Sequence, residues 1–355
     1  MDNILITGAN GFIGSHLVEF LVEKDANVYA LDIPESNFGN LERFIDKNLK
    51  PKLESKTSDS LKNTYQPTLH KRLTLVRCNL LDEEHISEIL IEIKPKYIFH
   101  LAAQSLVKPS WENPAKTMRI NVIGTINIFE PLKTYQLESK VILACTSTEF
   151  GTTAQIGRPL KEDDPLLAVH PYGISKVAAE LLTRQYFLNF GIKSVNVRFF
   201  NQTGPRKRFG AAADFIQRVA QIELGLVEPV LEVGNLNASR DFMGIKDTLQ
   251  ALWLAAEKGT PGETYHACSG EKTHIRDLLN IAVSFSQKHI KVVENSAEKL
   301  RKTDENIIVG DNTKITRQLG FKISQPIKEV LKDMYRYWLD YYKRNDSPKK
   351  NSRKD

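Results

Sequence analysis

The sequence predicts an α/β fold in which a doubly wound parallel sheet carries a smaller C-terminal α/β domain. Through about the first two hundred residues, short apolar runs alternate with stretches of helical periodicity, which indicates strands joined by helical crossovers. A glycine cluster, Gly8 to Gly14, separates the first apolar run from the first helical stretch. After Phe200 the alternation gives way to shorter segments. A chain of 355 residues is long enough for two such domains.

Each element of the large sheet is predicted from its own pattern. Six apolar runs have the length and composition of buried parallel strands, and four longer stretches have the periodicity of helices. Strands are predicted at residues 3–7, 26–32, 73–78, 97–102, 140–146 and 194–200. Helices are predicted at residues 12–21, 83–93, 115–135 and 172–188. Right-handed crossovers between parallel strands would place these helices on both faces of the sheet.

The domain boundaries follow from the point at which the alternation stops. Residues 1–202 are predicted to form the sheet domain, to which residues 237–265 return. Residues 203–236 and 266–342 are assigned to the second domain. Residues 343–355 are predicted to be a disordered basic tail, because the last twelve residues carry five basic and two acidic side chains.

Composition excludes several classes of protein. Apolar residues make up 41% and charged residues 26% of the chain, which excludes a disordered, collagenous or coiled-coil protein. No apolar run approaches the roughly 18 residues that span a bilayer, and the N-terminus lacks a basic leader segment, so a soluble cytoplasmic protein is expected. Cys78, Cys145 and Cys268 lie in apolar stretches and are expected to be free buried thiols, with no metal site indicated.

The net charge of +6 is shared between the tail and the body of the protein. The last twelve residues contribute half of it, so the body is only mildly basic. This distribution disfavours nucleic-acid binding and suits an anionic small molecule at least as well.

Three glycines follow the first predicted strand with the spacing G-x-x-G-x-x-G. Gly8 permits a tight turn, Gly11 lets a pyrophosphate approach the amides at the helix N-terminus, and Gly14 allows close packing of helix on strand. The alternative is that the glycines are accidental. Their position between a strand and a helix favours a dinucleotide-binding turn of the Rossmann type.

Asp32 ends the second predicted strand, 24 residues after Gly8. A carboxylate there can accept hydrogen bonds from a ribose 2′-hydroxyl and would repel a 2′-phosphate. The predicted cofactor is therefore NAD. The alternative is that Asp32 only begins a turn before Pro34.

Tyr172 and Lys176 are four residues apart and so share one face of a predicted helix. An ammonium beside a phenol favours the phenolate and lowers the pKa of the tyrosine, which yields an acid/base group usable near neutral pH. By itself this pair is common on helix surfaces. Together with the glycine turn upstream and Thr146 at the end of a strand, it indicates a catalytic site.

These residues belong to a wider set of motifs through which the chain resembles the extended short-chain dehydrogenase/reductases of the nucleotide-sugar epimerase/dehydratase group. The resemblance runs from residue 3 to about residue 342. Within the group, the chain is most similar to GDP-4-keto-6-deoxymannose reductases and GDP-mannose 4,6-dehydratases. The supporting motifs are HLAAQS (100–105), NVIGT (121–125), HPY (170–172), RFFN (198–201), GP (204–205), LEVGNL (231–236), SRDF (239–242) and ACSG (267–270).

The resemblance implies roles for the candidate catalytic residues. Thr146 would bond the 4-oxygen of the sugar while Tyr172 moves its proton. Lys176 would bind the nicotinamide ribose and tune Tyr172. Hydride would then pass between C4 of the sugar and the nicotinamide.

The resemblance also implies two sets of binding residues. Asn201, Arg240 and Arg301 match positions that hold the nucleotide diphosphate, for which guanidinium groups are suited. Arg301 could alternatively belong to a solvated charge run over residues 299–302. The implied cofactor contacts are Gly8, Asn10, Gly11, Phe12, Ile13, Gly14, Asp32, Asn79, Leu80, Leu101, Ala102, Ala103, Tyr172, Lys176 and Phe199. The implied substrate contacts are Ser105, Ser147, Thr148, Glu149, Asn201, Arg240 and Arg301.

The chain departs from the resembled enzymes at three positions. Those enzymes commonly have basic residues after the second strand and use NADP, whereas this chain has Asp32. Asn79 stands where an aspartate often contacts the adenine. Thr148 stands where 4,6-dehydratases have the glutamate that removes the C5 proton, and the acid is displaced to Glu149, which an extended backbone would direct to the opposite face.

The sequence thus predicts an NAD-dependent enzyme that transfers hydride at C4 of a GDP-hexose of the GDP-mannose type or its 4-keto derivative, as in polysaccharide biosynthesis. A 4,6-dehydratase or a C4-epimerase is the alternative reaction. A catalytically silent dinucleotide-binding regulator is the alternative class, against which the presence of Thr146, Tyr172 and Lys176 argues. The helices at 115–135 and 172–188 resemble those that pair subunits, so a homodimer or homotetramer is expected, with neither nucleic acid nor membrane as partner. The polar segment 37–72 is interpreted as a mobile surface excursion or as a lid or oligomer arm near the cofactor.

Overall fold

The structure is a computed structural model that describes residues 1–45, 64–296 and 307–345. Half of the predicted excursion (residues 46–63), the candidate phosphate ligand Arg301 and the tail beyond residue 345 lie outside the described residues. No helix in the described ranges is both long and apolar enough to cross a membrane.

Eight strands form one large sheet in the order β12-β7-β6-β5-β1-β2-β4-β3. All neighbouring pairs in it are parallel except β3, which pairs antiparallel with β4 at one edge. The chain winds outward in both directions from β1, and ligands of such sheets bind at this switch point. The strands are β1 (Asp2–Thr7), β2 (Ala26–Asp32), β3 (Tyr65–Pro67), β4 (Leu73–Arg77), β5 (Tyr97–His100), β6 (Lys140–Thr146), β7 (Ser194–Phe199), β8 (Asn201–Thr203), β9 (Val230–Glu232), β10 (Ser239–Arg240), β11 (Phe242–Gly244), β12 (Thr264–Ala267), β13 (Thr273–His274), β14 (Lys291–Val293) and β15 (Ile307–Ile308).

Helices cover both faces of the large sheet. On β1, Ile4 and Ile6 pack into one core with α1 and α8, whereas Leu5 packs into a second core with α2, α5 and α6. This split follows from the alternation of side chains along a strand. The predicted doubly wound α/β fold is confirmed. The helices are α1 (Phe12–Val22), α2 (Glu83–Ile93), α3 (Val107–Glu112), α4 (Pro114–Met118), α5 (Gly124–Thr134), α6 (Pro171–Phe190), α7 (Ala211–Glu223), α8 (Ile245–Lys258), α9 (Ile275–Val283), α10 (Thr313–Leu319) and α11 (Ile327–Asn345).

The predicted helix at residues 115–135 is interrupted in the structure. A π-helical turn at Arg119–Ile123 separates α4 from α5. Within this turn the buried Asn121 directs its amide outward, to the backbone of Gln104 and to Ser175 on α6. The short edge strand β3 was not predicted, because three residues carry too little periodicity.

The second domain has its own core, formed by α7, α9 and α11 around Leu231 of β9. The packing departs from the predicted boundaries at several places, among them α10 and the end of α11. Ile315 and Leu319 of α10 pack in the core of the large sheet, although residues 266–342 were assigned to the second domain. Helix α11 continues to Asn345, three residues into the predicted tail.

Candidate active site

The glycine turn between β1 and α1 fits the close approach of a dinucleotide. Gly8 has a φ of +71°, and a Cβ there would lie 2.8 Å from the backbone nitrogen of Ala102. A Cβ on Gly14 would collide with the carbonyl oxygen of Gly8. A Cβ on Gly11 would meet only that same oxygen, at 3.1 Å. The turn is therefore closed toward the protein and open at Gly11, where a pyrophosphate needs access to the amides of α1.

Asp32 lies at the end of β2 with its carboxylate against this turn. One oxygen accepts the backbone N–H of Asn10 at 2.8 Å, and the other accepts the N–H of Ile33 at 2.9 Å. Burial raises the pKa of Asp32, and the two N–H donors oppose that shift. The carboxylate is thus held beside the glycine turn, where a ribose hydroxyl could reach it.

The other predicted cofactor residues lie at the ends of neighbouring strands. The backbone nitrogen of Ala102, after β5, donates to Thr7 at the end of β1 at 3.2 Å. The carbonyl of Leu80, after β4, accepts the Asn127 side-chain amide at 2.8 Å. Because the carboxyl ends of parallel strands share one edge of a sheet, the structure gathers most of the predicted set there. The remaining members are Phe12 and Ile13 at the start of α1, Asn79 and Leu101 after β4 and β5, Ala103, and Phe199 at the end of β7.

Thr146 and Tyr172 are brought together at the same edge. Thr146 is the last residue of β6, and Tyr172 is the second residue of α6. Both side chains are buried, and the Thr146 hydroxyl is close enough to Tyr172 to lower its pKa. Pro171 at the first position of α6 fixes the start of the helix, and the ring of His170 accepts the N–H of Gly173 at 2.9 Å. The helix N-terminus therefore holds the phenol of Tyr172 against the strand end.

The pKa of Tyr172 is raised in this structure, contrary to the lowering expected from Lys176. The ammonium of Lys176 donates to the carbonyl oxygen of Ala144 at 2.8 Å, and burial lowers its own pKa. Burial raises the pKa of Tyr172, a negative charge on Glu149 would raise it further, and the Thr146 hydroxyl acts in the opposite direction. The spacing in the sequence showed that the two residues share a helix face, but it did not include the cost of burying the phenolate.

Thr148 and Glu149 occupy different surroundings, but they lie in a 3-10 helical turn at Ser147–Glu149 and not in the extended segment that was predicted. Thr148 is partly exposed, and its hydroxyl lies 3.2 Å from that of Thr146. Glu149 is fully buried, and its carboxylate accepts the backbone N–H of Thr146 at 2.9 Å. The Glu149 carboxylate is enclosed by protein in this structure, and its contact with substrate stays a prediction.

Two of the predicted phosphate ligands, Asn201 and Arg240, lie where the second domain meets the large sheet. The side chain of Asn201, at the start of β8, donates to the carbonyl of Asp241 at 3.0 Å. Arg240 precedes Asp241 and is buried in β10. The Asp241 carboxylate accepts the N–H groups of Ser269, Gly270 and Gly310, which ties three segments of this junction together.

The two predicted serine contacts differ in exposure. Ser105 is exposed after β5, whereas Ser147 is buried beside Thr146. Ser105 is accessible to a ligand as the chain stands. Ser147 can contact a ligand only if the side chains around it move.

Lys207 is a candidate ligand-binding residue that the sequence did not reveal. Its ammonium lies 5.1 Å from the ring centroid of Phe12, the first residue of α1. Burial lowers its pKa, and it forms no ion pair with any residue in the described ranges. A partly buried cation without an anionic partner, beside the glycine turn, is suited to a phosphate. Only its position after the GP motif at 204–205 could have pointed to it.

A hydrogen-bond network links the glycine turn to the second domain. Asn40 donates to the side-chain and backbone oxygens of Asn10, at 3.0 and 2.6 Å. Its own carbonyl accepts from Arg206 at 3.0 Å, and Arg206 also pairs with Glu19 of α1 at 2.6 Å. The start of the predicted excursion therefore braces the turn, which the polar composition of the segment did not reveal.

Comparisons with known proteins agree with this geometry. The chain matches the model of the family described as GDP-mannose 4,6 dehydratase over residues 5–334. A GDP-6-deoxy-D-mannose reductase of Pseudomonas aeruginosa is 25% identical over 338 residues, which cover 95% of this chain and 97% of that protein. A GDP-mannose 4,6 dehydratase of Homo sapiens is 29% identical over 358 residues, which cover 93% and 89%.

A solved structure shows the same fold. The structure of RMD from Pseudomonas aeruginosa complexed with NADPH covers 96% of this chain and 100% of its own, with a TM-score of 0.77 and 24% identity. The resemblance inferred from the sequence motifs is confirmed, since the family model spans both domains. The chain belongs to the GDP-mannose 4,6 dehydratase family.

Proposed function

We propose that this chain is an NAD-dependent enzyme that exchanges a hydride with C4 of a GDP-hexose of the GDP-mannose type. The observation that carries the proposal is the placement of the buried Thr146 and Tyr172 at the sheet edge where the glycine turn and Asp32 also lie. The family and the named relatives support a GDP-sugar as the substrate. When bound, the nicotinamide supplies the hydride acceptor or donor.

Asp32 supports NAD as the cofactor. Its carboxylate lies against the turn at Asn10, and a 2′-phosphate placed there would meet a negative charge. The relative of known structure binds NADPH, so the proposal sets this chain apart from that protein at this position. Lys207, beside Phe12, is proposed to bind a phosphate of the dinucleotide.

The chain's own residues have separate roles in the proposed reaction. Tyr172 gives its proton to the C4 oxygen in reduction and takes it back in oxidation. Thr146 bonds the same oxygen and orients the phenol. Lys176 bonds the nicotinamide ribose, and its ammonium would stabilise the phenolate as it forms. Asn201, Arg240 and Arg301 bind the diphosphate.

The reductase-type reaction is favoured over dehydration by the placement of Glu149. Loss of water across C5 and C6 needs a base for the C5 proton, and the threonine at 148 is not one. The neighbouring carboxylate is enclosed and already accepts the N–H of Thr146. A C4-epimerase is the second candidate, because tightly held NAD also serves redox-neutral chemistry.

The proposed function is tested by supplying a GDP-4-keto-6-deoxyhexose with NADH and following NADH absorbance and product mass. A gain of two hydrogens by the sugar is expected, with matching loss of NADH. A parallel incubation of the GDP-4-hydroxy sugar with NAD and deuterated NADH tests label exchange at C4. The silent-regulator alternative predicts no turnover in either incubation. Mass spectrometry of nucleotides that copurify with the protein identifies the base.

A homo-oligomer is part of the proposal. Ile174, Leu181 and Leu188 recur every seven residues along α6 and are 47%, 56% and 66% exposed. Residues at this spacing form one stripe on a helix, and a stripe this apolar is suited to a second copy of the chain. Leu181→Glu with Leu188→Glu is expected to give a monomer in light scattering. Glu substitutions at the exposed polar Gln250 of α8 and Asn280 of α9, away from this stripe, should leave the mass unchanged. A monomeric wild type would contradict this part.

The cytoplasm is the proposed location. The three cysteines are all buried free thiols, which is the usual state in a reducing compartment.

A further inference from the structure

Glu149 and Glu180 form a buried acidic pair directly behind the candidate catalytic residues. Glu149 follows β6 and is fully buried, while Glu180 lies one helical turn after Lys176 and is 7% exposed. The sulfur of Cys145 and one carboxylate oxygen of each glutamate all lie within 4.8 Å of one another. Two carboxylates this close in an apolar setting cannot both carry a full charge without large cost.

Arg198 of β7 neutralises only one of the two carboxylates fully. Its Nε and Nη2 form two hydrogen bonds with Glu180, at 2.9 and 2.5 Å. Its Nε lies 3.3 Å from Glu149 Oε2, and its Nη1 donates to the carbonyl of Glu162. Glu180 also accepts from the hydroxyl of Thr264 at 3.1 Å. Glu180 is thus the carboxylate of the pair that accepts more hydrogen bonds.

Glu149 has an oxygen that lacks a hydrogen-bond donor. Its Oε1 accepts the N–H of Thr146, but its Oε2 is buried and receives no hydrogen bond. A carboxylate oxygen in that position is satisfied if it carries the proton itself and donates to Glu180. The directions of the pKa shifts agree: burial and the charge of Glu180 raise the pKa of Glu149, while for Glu180 burial is outweighed by Arg198 and the pKa falls.

A metal ion is the other use of such a cluster. The positions of ligand atoms in Cys145, Glu149 and Glu180 permit it. The guanidinium of Arg198 already lies between the carboxylates, and a cation would have to displace it. The cluster therefore favours a proton over a metal.

We propose that Glu149 is a positioning residue that remains a neutral acid, sharing one proton with Glu180, and that it fixes Thr146 without placing a second negative charge behind Tyr172. This inference rests on the proposed role of Tyr172 as the acid/base. As a neutral acid, Glu149 can still accept the N–H of Thr146, so the strand end stays in place. The pair with Arg198 then has no net charge, and phenolate formation at Tyr172 is not opposed by a carboxylate.

Titratable and charged groups face Glu149 from three elements. Tyr172, Lys176 and Glu180 face it from α6, and Arg198 faces it from β7. Cys145 faces it from β6, where burial holds the thiol in its neutral form by raising its pKa. Of these groups, only Glu180 can accept a proton from Glu149 and leave Arg198 paired.

Infrared spectroscopy of the full chain at neutral pH tests the protonation state without any substrate. The wild type is expected to show the C=O stretching band of a protonated carboxyl group, which is separate from the carboxylate bands. Glu149→Gln and Glu180→Gln should each remove that band. Glu162→Gln, in a neighbouring acid outside the pair, should leave it. A band that survives Glu149→Gln, or a wild type without it, would overturn the proposal.

A pH profile of kcat/KM tests the consequence for Tyr172. Glu149→Gln replaces a neutral acid with a neutral amide, so the apparent pKa of catalysis should stay within about 0.3 of wild type. Glu180→Gln leaves Glu149 to pair with Arg198 as an anion, so that apparent pKa should rise. A fall of the apparent pKa in Glu149→Gln would show that Glu149 is ionised and would refute the inference. Absence of turnover in the wild type would instead refute the proposed function, and the infrared result would still decide the protonation.

Two substitutions separate positioning from charge. Gln at position 149 retains an acceptor for the Thr146 N–H, whereas Ala does not. We expect kcat of Glu149→Ala to fall below that of Glu149→Gln by about fivefold or more, as for one lost hydrogen bond. Equal kcat values in the two variants would overturn the positioning role.

Discussion

The Asp32 carboxylate accepts the backbone N–H of Asn10 at 2.8 Å, so the residue that we propose selects the cofactor also holds the glycine turn. The same carboxylate accepts the N–H of Ile33. One side chain therefore couples the end of β2 to the start of α1. A substitution there acts on the affinity for both dinucleotides as well as on the choice between them.

We expect NAD(H) to bind more tightly than NADP(H) by about 2 kcal/mol or more, because a 2′-phosphate loses a charged hydrogen bond and meets a negative charge. Asp32→Ala should narrow that gap and weaken NAD binding. Asp32→Asn is the matched control, since it keeps an acceptor for Asn10 and removes only the charge. Calorimetric titration of both dinucleotides gives the affinities. Equal affinities in the wild type would contradict the assignment of Asp32.

Replacing Tyr172 by Phe removes one hydroxyl and little volume from a buried site. Turnover is expected to fall by roughly two to four orders of magnitude, as for loss of general acid/base catalysis. NAD affinity and the melting temperature should stay close to wild type. Tyr186→Phe, in a second buried tyrosine farther along α6, is the control and should retain activity. Turnover of Tyr172→Phe at the wild-type rate would remove the proposed mechanism.

Lys207→Met keeps the apolar stem beside Phe12 and removes the charge. If the ammonium binds a phosphate of the dinucleotide, NAD affinity should fall by about tenfold, since a charged hydrogen bond contributes about 1.5–3 kcal/mol. The loss should diminish as salt is raised, because screening weakens the same contact in the wild type. Lys246→Met, in an exposed lysine of α8, is the control. Unchanged affinity for NAD in Lys207→Met would rule out the contact.

The buried His100 predicts acid destabilisation. Burial, with a smaller contribution from Lys176, lowers its pKa to about 3, and its ring nitrogens are bonded to Thr7 and Thr125. The unfolded chain binds a proton near pH 6.5 that the folded chain does not. The free energy of unfolding should therefore fall as pH drops below about 6.5, by up to about 1.4 kcal/mol per pH unit, and level off near 3.

Urea unfolding at several pH values measures this slope. The free energy of unfolding of His100→Gln is expected to be lower at neutral pH. Its slope against pH is expected to be shallower by the contribution of about one bound proton. His289→Gln, at an exposed histidine, should leave the slope unchanged. A slope in His100→Gln equal to that of wild type would show that His100 does not titrate as its burial implies.

The sheet could be predicted because its signals are local. The bounds of β2, α2 and β6 agree with the prediction, since each is an apolar run or a periodic stretch between polar residues. The interruption between α4 and α5 was not predictable, because it depends on Asn121 meeting Gln104 and Ser175 across the fold. Helix α10 was misassigned because its short apolar face does not say which core it joins.

The candidate site was likewise predictable only in part. The glycine turn, Asp32 and Thr146 follow strands directly, so their positions at one edge follow from the topology. The acidic pair at Glu149 and Glu180 joins residues on different elements, and nothing in the local sequence indicates that Arg198 lies between them. The pKa of Tyr172 was misjudged for this reason, because burial is a property of the folded chain.

Whether the chain can remove the C6 hydroxyl of the sugar depends on the residue at position 148. Elimination of water across C5 and C6 needs a base for the C5 proton and an acid for the departing hydroxyl, and a threonine at neutral pH is neither. Incubation with GDP-mannose and NAD is therefore expected to give no product that has lost water. Mass spectrometry of the nucleotide sugar measures this directly.

Glu149→Gln is the control for the dehydration experiment, because Glu149 carries the enclosed carboxylate next to position 148. In the structure it bonds the backbone of Thr146 and lies near Arg198, and a local bulge would be needed to direct it toward a substrate. If the Glu149 carboxylate stays enclosed, the wild type forms no dehydrated product. Glu149→Gln is then expected to form none either. A 4-keto-6-deoxy product from the wild type that disappears in Glu149→Gln would show that the segment rearranges when substrate binds. In that case Glu149 would be the base, and the chain would catalyse dehydration like its dehydratase relatives.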